Sequence, residues 1–504
     1  MNKPLPACLK PRADDPRWAP PLDVNDAVVR LETAGITDAV AEREYGQRTT
    51  WQLAEACLPW SRMFVTAVEP EPRRSAVLEY LSGISFSFSL LLCCLAMALF
   101  RFSLWGGDVS ANMAAAVGLG TVSSFITTGG IVQAMARRGI FLISVEDGAT
   151  AEAACWRWVR LGIFCLAASG LALLTLARFY TWLPAPFDLA AVAFHLSLGL
   201  LWLATGILHM LERNMWSAVA TAVGTLMVVW LHRAWRIELA AAQVVGILIA
   251  AAVAFSACFF FLRDRRRKHG GCPRPQSFAF DTYIAWPHFL FGTFYYLLVF
   301  SDRLLAWTVP DIGAPSAVQF RGDYETALDI ALFGFILQAG NVRSSTVAFF
   351  HKLASAQKQL GLSRRSVFIR QMKEVYARRS AGFLAVAALT SVGLYTAVAH
   401  TTLLTNGQSY TALIWALFGF SALAVALWNT SLLFRLAQPS DVLGALIPAI
   451  LLNVVLGYAL TRLGAYHYAA VGFTAGALLY AMLTTRSVLR RMQSIDYYYF
   501  ASAS

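Results

Sequence analysis

A chain of 504 residues that is 58% hydrophobic and only 14% charged, with a mean hydropathy of +0.56, is not a soluble globular protein. Such proteins run at about 45–50% apolar and about 25% charged. The formal net charge is +12, which in a soluble chain would suggest nucleic acid; here the basic residues sit in alternate loops between apolar segments, so no nucleic-acid partner is expected.

Residues 1–76 read as a cytosolic N-terminal extension. Pro4, Pro6, Pro11, Pro16, Pro20 and Pro21 argue for an extended leader, and helix-start signals follow at 23–35 and 49–64. No basic start precedes an apolar core near Met1, so no cleavable signal peptide is expected. The extension either docks a partner or lies on the membrane face.

Beyond it the chain is dominated by apolar stretches. A hydrocarbon core about 30 Å thick needs roughly 20 apolar helical residues, and segments 79–100, 112–135, 157–177, 188–210, 215–232, 239–262, 283–307, 327–350, 381–400, 411–434, 442–461 and 467–486 meet that need. They fall six and six around the basic run Arg263-Asp264-Arg265-Arg266-Arg267-Lys268-His269. The expected plan is a first lobe over 77–262, an inter-lobe loop over 263–281, a second lobe over 282–486 and a cytosolic tail over 487–504. The second span, rich in Gly, Ser and Thr between Ala114 and Gln133, suits close packing against protein or a cavity.

Charge sets the orientation. Arg137 and Arg138, the 263–274 run, Lys352 to Arg379, and Arg486, Arg490 and Arg491 follow the even-numbered spans. The intervening loops are poor, with Arg101, Arg178 and no Lys or Arg between His400 and Tyr410. The positive-inside rule then puts both termini in the cytoplasm. An even number of spans per half makes the halves parallel repeats. The expected fold is an all-α polytopic membrane protein of about twelve transmembrane helices in two parallel six-helix lobes, N-in/C-in, in a bacterial cytoplasmic membrane. Residues 361–379 mix basic and apolar side chains as an amphipathic helix on the inner leaflet would, with a preference for anionic lipid.

Eight cysteines without a C-x-x-C pair, and His195, His209 and His288 on different spans, do not make a metal site. No metal, cofactor or catalytic centre is expected. The informative residues are the polar ones inside the spans, because a charged group at a helix centre costs about 2.5–3.5 kcal/mol and so faces the bundle interior or a wet cavity. In the seventh span His288, Tyr295 and Asp302 recur every seven residues along one face, with Arg303 adjacent. The eighth span offers Gln338, Asn341 and Ser345 on one stripe and Arg343 beside it, and Glu79 opens the first span. These residues, Asp302, Arg303, Arg343, Tyr295, Gln338, Asn341, His288 and Glu79, form the expected substrate path, with Arg343 holding Asp302 or a substrate phosphate. Hydroxyls and amides replace water around a sugar, while aromatic rings stack on its apolar face; interhelical packing is the plainer role for the serines.

Three segments carry a family resemblance: Tyr80-Leu-Ser-Gly-Ile-Ser, Ser123-Ser-Phe-Ile-Thr-Thr-Gly-Gly and Phe300-Ser-Asp-Arg-Leu-Leu-Ala-Trp307. They resemble the Pel-type exopolysaccharide export membrane proteins of the multidrug/oligosaccharidyl-lipid/polysaccharide flippase superfamily, over about Val77 to His351. The family's acidic-basic-aromatic element maps to Asp302, Arg303 and Trp307. Gly83-Ile84 stand where Gly-Pro is expected, and the acidic cluster expected past the eighth helix is absent from Thr346 to Lys352. The resemblance implies alternating access by two lobes around a cavity, moving a glycan or lipid-linked glycan outward. It also implies work beside a cytosolic glycosyltransferase and membrane partner subunits.

Three other readings compete. An ion-coupled drug or cation exporter wants carboxylates deep in the first lobe, where 157–178 and 189–210 hold no Asp or Glu. A membrane-embedded transferase wants paired carboxylates near a basic loop, where Asp264 and Glu374 stand alone. A non-transporting scaffold subunit of a synthase has no sequence mark of its own. The orientation is directly testable: reporter tags after Lys268 and Lys358 should read cytoplasmic and a tag near Gly407 the opposite side. A cytoplasmic reading at Gly407 breaks the twelve-span plan.

Overall fold

The computed structural model describes residues 24–33, 35–63, 75–144, 147–269, 278–310, 317–359, 365–404, 406–495 and 497–498. It divides into two units, Met1–Ser75 and Ala76–Ser504. In the first unit, α1 (Val24–Thr33) and α2 (Thr50–Met63) flank a helical turn over 38–45. Ala27, Leu31, Ala41, Leu53, Ala54 and Cys57 are buried together as its core. Asp38 accepts hydrogen bonds from the Thr50 amide (2.6 Å) and hydroxyl (2.8 Å), which hold its carboxyl below the usual range and fix the start of α2. Both expected helices are present; the proline-rich leader lies outside the described residues.

The second unit begins with a broken helix, α3 (Ala76–Ile84) and α4 (Phe88–Phe100), interrupted by a 3₁₀ turn at Ser85–Ser87. Long helices follow: α5 (Ala111–Ser144), α6 (Gly148–Phe179), α7 (Phe187–Met210), α8 (Asn214–Ala234), α9 (Leu239–His269), α10 (Phe278–Trp307), α11 (Gly322–Gln359), α12 (Arg365–Ala399), α13 (Gly407–Arg435), α14 (Pro439–Leu463) and α15 (Ala469–Arg491). Eleven helical segments among the described residues are long and apolar enough to span a bilayer. The expected eighth span falls on α11, a 38-residue helix whose Asp323, Glu325, Asp329, Arg343 and Lys352 lower its apolar character.

Two expectations change. The basic run is not wholly a loop: Arg263 to His269 continue α9, and 270–277 lie outside the described residues. The amphipathic segment is not a separate interfacial helix. From Arg365 it runs unbroken into the ninth span as α12, and Phe368, Met372 and Tyr376 are buried. Tyr376 stacks on Trp428 (5.0 Å) and donates to Asn429 Oδ1 (2.8 Å). Its apolar stripe therefore meets α13, where a stacked ring and a buried hydrogen bond hold it.

The two halves repeat one packing pattern. α5 packs on α7, α7 on α9, α8 on α9 and α4 on α8; correspondingly α11 packs on α13, α13 on α15, α14 on α15 and α10 on α14. Each lobe has its own apolar core. The lobes meet along two seams that the repeat relates, α5 against α10 and α3 against α11.

Glycine makes both seams possible. A Cβ on Gly292 would come within 2.2 Å of the Gly129 carbonyl oxygen, and one on Gly83 within 2.6 Å of Gly340 Cα. Only hydrogen at these positions permits backbone contact at that distance. Gly129 and Gly340 lie eighteen residues past Ala111 and Gly322, the first residues of their helices, so the two crossings occupy equivalent places. The seams are nonetheless unequal. Beyond the 3₁₀ break, α4 turns to pack on α8, so only the short α3 segment is packed along α11.

Candidate substrate path between the lobes

The α5–α10 seam is tied along its whole length. At the basic end Asp281 pairs with Arg138 (2.7 Å) and Arg157 (3.4 Å). The glycine crossing follows. At the far end Trp307, Val318, Leu183, Ala191 and the Ala115–Val122 stretch share an apolar cluster. There, too, the amides of Ala317 and Val318 donate to the carbonyls of Thr181 and Trp182, each at 3.3 Å. Among the described residues, the polar ties of the α3–α11 seam lie toward the basic end. Arg343 reaches Glu79 (3.5 Å) and Glu212 (3.0 Å), and the Tyr80 hydroxyl donates to the Leu337 carbonyl (3.0 Å). One edge is a spine; the other is held by a latch.

Between them an aromatic ladder crosses from lobe to lobe. Trp105, just past α4, meets Trp202 of α7 edge-on (5.3 Å). Trp202 stacks on Phe125 of α5 (4.5 Å), and Phe125 on Tyr296 (4.9 Å) and Phe300 (5.6 Å) of α10. All five rings are half-buried. Ring faces left partly uncovered beside polar side chains suit a ligand with both an apolar face and hydroxyls. The Trp202 indole N–H donates to Ser124 Oγ (3.1 Å), and His195 sits between Ser123 (2.8 Å) and Ser169 (2.9 Å).

The expected path residues divide into three groups. His288 and Asp302 share a face of α10, but that face meets the second lobe itself. His288 stacks on Phe434 (4.8 Å), and Asp302 is fully buried and accepts from the Tyr324 hydroxyl (2.7 Å). Tyr295 packs beside Phe291 and Tyr296 at the ladder's second-lobe end. Arg303 pairs with Glu325 and with Asp329 (2.9 Å), and Glu325 also accepts from the Trp307 indole (2.8 Å). These contacts clamp the end of α10 to the start of α11.

Gln338 donates to Thr390 of α12 (3.4 Å), a contact within the second lobe, and Asn341 accepts from Ser345 one turn on along α11 itself (3.4 Å). Arg343 and Glu79 are brought together, in the latch. The expected partnership of Arg343 with Asp302 is not formed. Asp302 bonds Tyr324, nineteen residues from Arg343 along α11, a rise of about 28 Å. Sequence reading missed Tyr324, Glu325, Phe125, Trp202 and Tyr296 as site residues. Tyr324 and Glu325 precede the apolar stretch of the eighth span, and the rings look like any others in an apolar helix.

Two six-helix lobes with this packing define the fold of the multidrug and polysaccharide transporter superfamily. The structure is similar to a Vibrio cholerae MATE transporter, VcmN, with a TM-score of 0.59 and 13% identity over 84% of this chain and 98% of that one. It is similar to an outward-facing multidrug resistance MATE family transporter, with a TM-score of 0.56 and 12% identity over 84% and 96%. It is also similar to a superfamily transporter from Pyrococcus furiosus, with a TM-score of 0.54 and 12% identity over 84% and 96%. Likeness at such identity is one of fold. No curated protein sequence matches the chain. The PelG exopolysaccharide exporter (EPS-E) family profile matches residues 121–500, most of the chain. The protein belongs to that family and is a multi-pass membrane transporter.

The α10–α11 clamp makes a sharp prediction. Removing one member of a desolvated ion pair commonly costs about 3–5 kcal/mol, whereas an exposed pair contributes about 0–1 kcal/mol. Arg303→Gln strands buried Glu325, while the Asp329 side chain is 65% exposed. Thermal unfolding of the purified protein should show a large loss of stability for Arg303→Gln and little change for Asp329→Asn. Equal effects would mean that Arg303 is anchored at the surface and not by Glu325.

Proposed function

We propose that the protein moves a polysaccharide or lipid-linked glycan out of the bacterial cytoplasm across the inner membrane, through the space between its lobes. The observation that carries this reading is the half-buried aromatic ladder from Trp105 to Phe300, which joins the lobes and offers ring faces for pyranose stacking. Transport proceeds by rocking about the α5–α10 spine, with the Arg343–Glu79–Glu212 latch opening and closing the basic, cytoplasmic end. No bond is made or broken by the protein; it is a carrier, not an enzyme, and a flippase if its glycan arrives on a lipid.

Membership of an exopolysaccharide exporter family supports a glycan over a drug. So does the state of three first-lobe carboxylates. Asp188 is paired with Arg178 (2.7 Å), Glu152 with Arg266 (3.5 Å) and Glu79 with Arg343, which leaves these groups engaged and not free to bind a coupling cation. A cytosolic glycosyltransferase beside the basic end would supply the chain as it grows, and partner subunits would complete a biofilm-forming synthase.

Stacking beyond simple area burial is worth about 0.5–1.5 kcal/mol per ring pair, and about 1.4 kcal/mol is tenfold. Phe125→Ala and Trp202→Ala should therefore each lower export several-fold at matched protein abundance. Phe164→Ala, on an outward face of α6 where the ring is largely exposed, should not. Export that survives both ladder substitutions in one chain would place the glycan path elsewhere.

A further inference from the structure

The far end of the first lobe carries a concavity that neither the ladder nor the seams use. It encloses about 610 Å³ where the end of α4 meets the α8–α9 hairpin. Its floor is built, not incidental. Arg101 closes α4 in the left-handed region (φ 69°). The chain then folds back through a Phe102–Gly107 bridge, with the Ser103 amide donating to the Gly106 carbonyl (2.7 Å). The Gln243 side-chain amide, itself buried, donates to the carbonyls of both Ser103 (3.1 Å) and Gly106 (3.0 Å). Opposite, His232 Nδ1 lies 2.9 Å from the Ile237 carbonyl and pins the hairpin.

Arg101, Arg233 and Arg236 line this concavity, with Asp108 the only acid among its described lining residues. Arg233 lies over the rings of Phe100 (5.2 Å) and Phe102 (5.8 Å). Among the described residues, none of the three has a carboxylate partner. Other arginines at this end are engaged: Arg178 with Asp188, Arg303 with Glu325, Arg321 with the Val309 carbonyl (2.8 Å), and Arg462 with the Thr308 hydroxyl (2.9 Å). Three guanidiniums lining one concavity, each without a carboxylate partner among the described residues, make it attractive to an anion.

The level of the concavity says which anion. Trp230 and Trp235, both exposed and in edge contact (5.6 Å), flank it on the same hairpin. Exposed tryptophan at helix ends marks the membrane–water interface. We propose that this concavity binds the headgroup phosphate of an anionic phospholipid, the arginines holding its oxygens while Phe100 and Leu239 meet the glycerol and upper acyl chain. The site lies at the end of the molecule opposite the basic loops, and it joins α4, the continuation of the latch helix, to the α8–α9 hairpin.

The test uses the full chain, purified and delipidated in detergent, with lipid adducts counted by native mass spectrometry and protection read by thermal shift. Phosphatidylglycerol should give a tight one-to-one adduct and raise the melting temperature. The combined Arg101→Gln, Arg233→Gln and Arg236→Gln chain should bind it at least about tenfold more weakly, as expected when charge-assisted hydrogen bonds are lost. Arg236→Gln alone, on an exposed turn, should show a partial loss in a chain that folds normally. Arg263→Gln, Arg265→Gln and Arg267→Gln together, the same charge change at the other end, should keep the adduct. An undiminished adduct in the triple Arg101, Arg233 and Arg236 variant overturns the proposal. Equal binding of phosphatidylcholine also does so, and full protection by inorganic phosphate alone would make this a site for free anions, not for lipid.

Discussion

The architecture depends on backbone contact between glycines at two crossings. Gly129 against Gly292 and Gly83 against Gly340 let four helices approach to distances that any Cβ forbids. In a bilayer, where lipid is as apolar as leucine, helices associate by this closeness and by polar contacts and not by hydrophobic exclusion. The crossings are equivalent under the repeat, yet what surrounds them differs. Around Gly129 and Gly292 lie a buried ion pair, an apolar cluster and backbone hydrogen bonds spread over the full height of the seam. Around Gly83 and Gly340, among the described residues, lie the Arg343 latch and one tyrosine hydrogen bond, and the 3₁₀ turn at Ser85–Ser87 diverts the rest of the first span. Two crossings equivalent under the repeat are thereby tied over the full height of one seam and at one end of the other.

That asymmetry connects structure to transport. A carrier for a bulky glycan needs a path wide enough for sugar rings and a way to close behind them. The ladder runs from the loop after α4, across α7 and α5, to α10, and so it touches both lobes and ends on the spine. Under the proposed function, a glycan would pass along these rings by exchanging stacking partners. The latch side chains are partly exposed and span lobes, which keeps their individual contribution small and their rupture easy. The Asp302–Arg303 cluster has the opposite character. It lies within one lobe and ties the end of α10 to the start of α11.

Much of this was legible from pattern alone. The all-helical, two-lobed plan follows from helix length, which the bilayer dictates directly, with eleven of the expected spans long and apolar enough among the described residues. The glycines were visible within Ser123 to Gly130 and Tyr80 to Ser85, and Asp302, Arg303 and Trp307 as a polar element in an apolar helix. The family resemblance read over Val77 to His351 is matched by a profile over 121–500, which extends it through the later spans. What could not be read was pairing. Arg343 finds Glu79 across 264 residues, and nothing in either segment marks the other. Asp302 was assigned to the inter-lobe space because a seven-residue period shows which residues share a face, not which neighbour that face meets. Phe125 and Trp202 were hidden for the same reason, since a ring facing a glycan and a ring facing lipid have the same spacing and the same hydropathy.

The central claim is that one seam opens while the other holds. Pulsed electron resonance distances between spin-label pairs at the basic end test it most directly, in a chain whose native cysteines are replaced. Leu81→Cys with His351→Cys reports on the latch side, and Phe141→Cys with Tyr283→Cys on the spine; all four positions are exposed. In nanodiscs, with and without exopolysaccharide oligosaccharides, the latch pair should show two distances whose proportions shift with glycan, and the spine pair a single narrow one. Equal movement of both pairs, or a fixed latch pair beside a moving spine pair, would contradict the account.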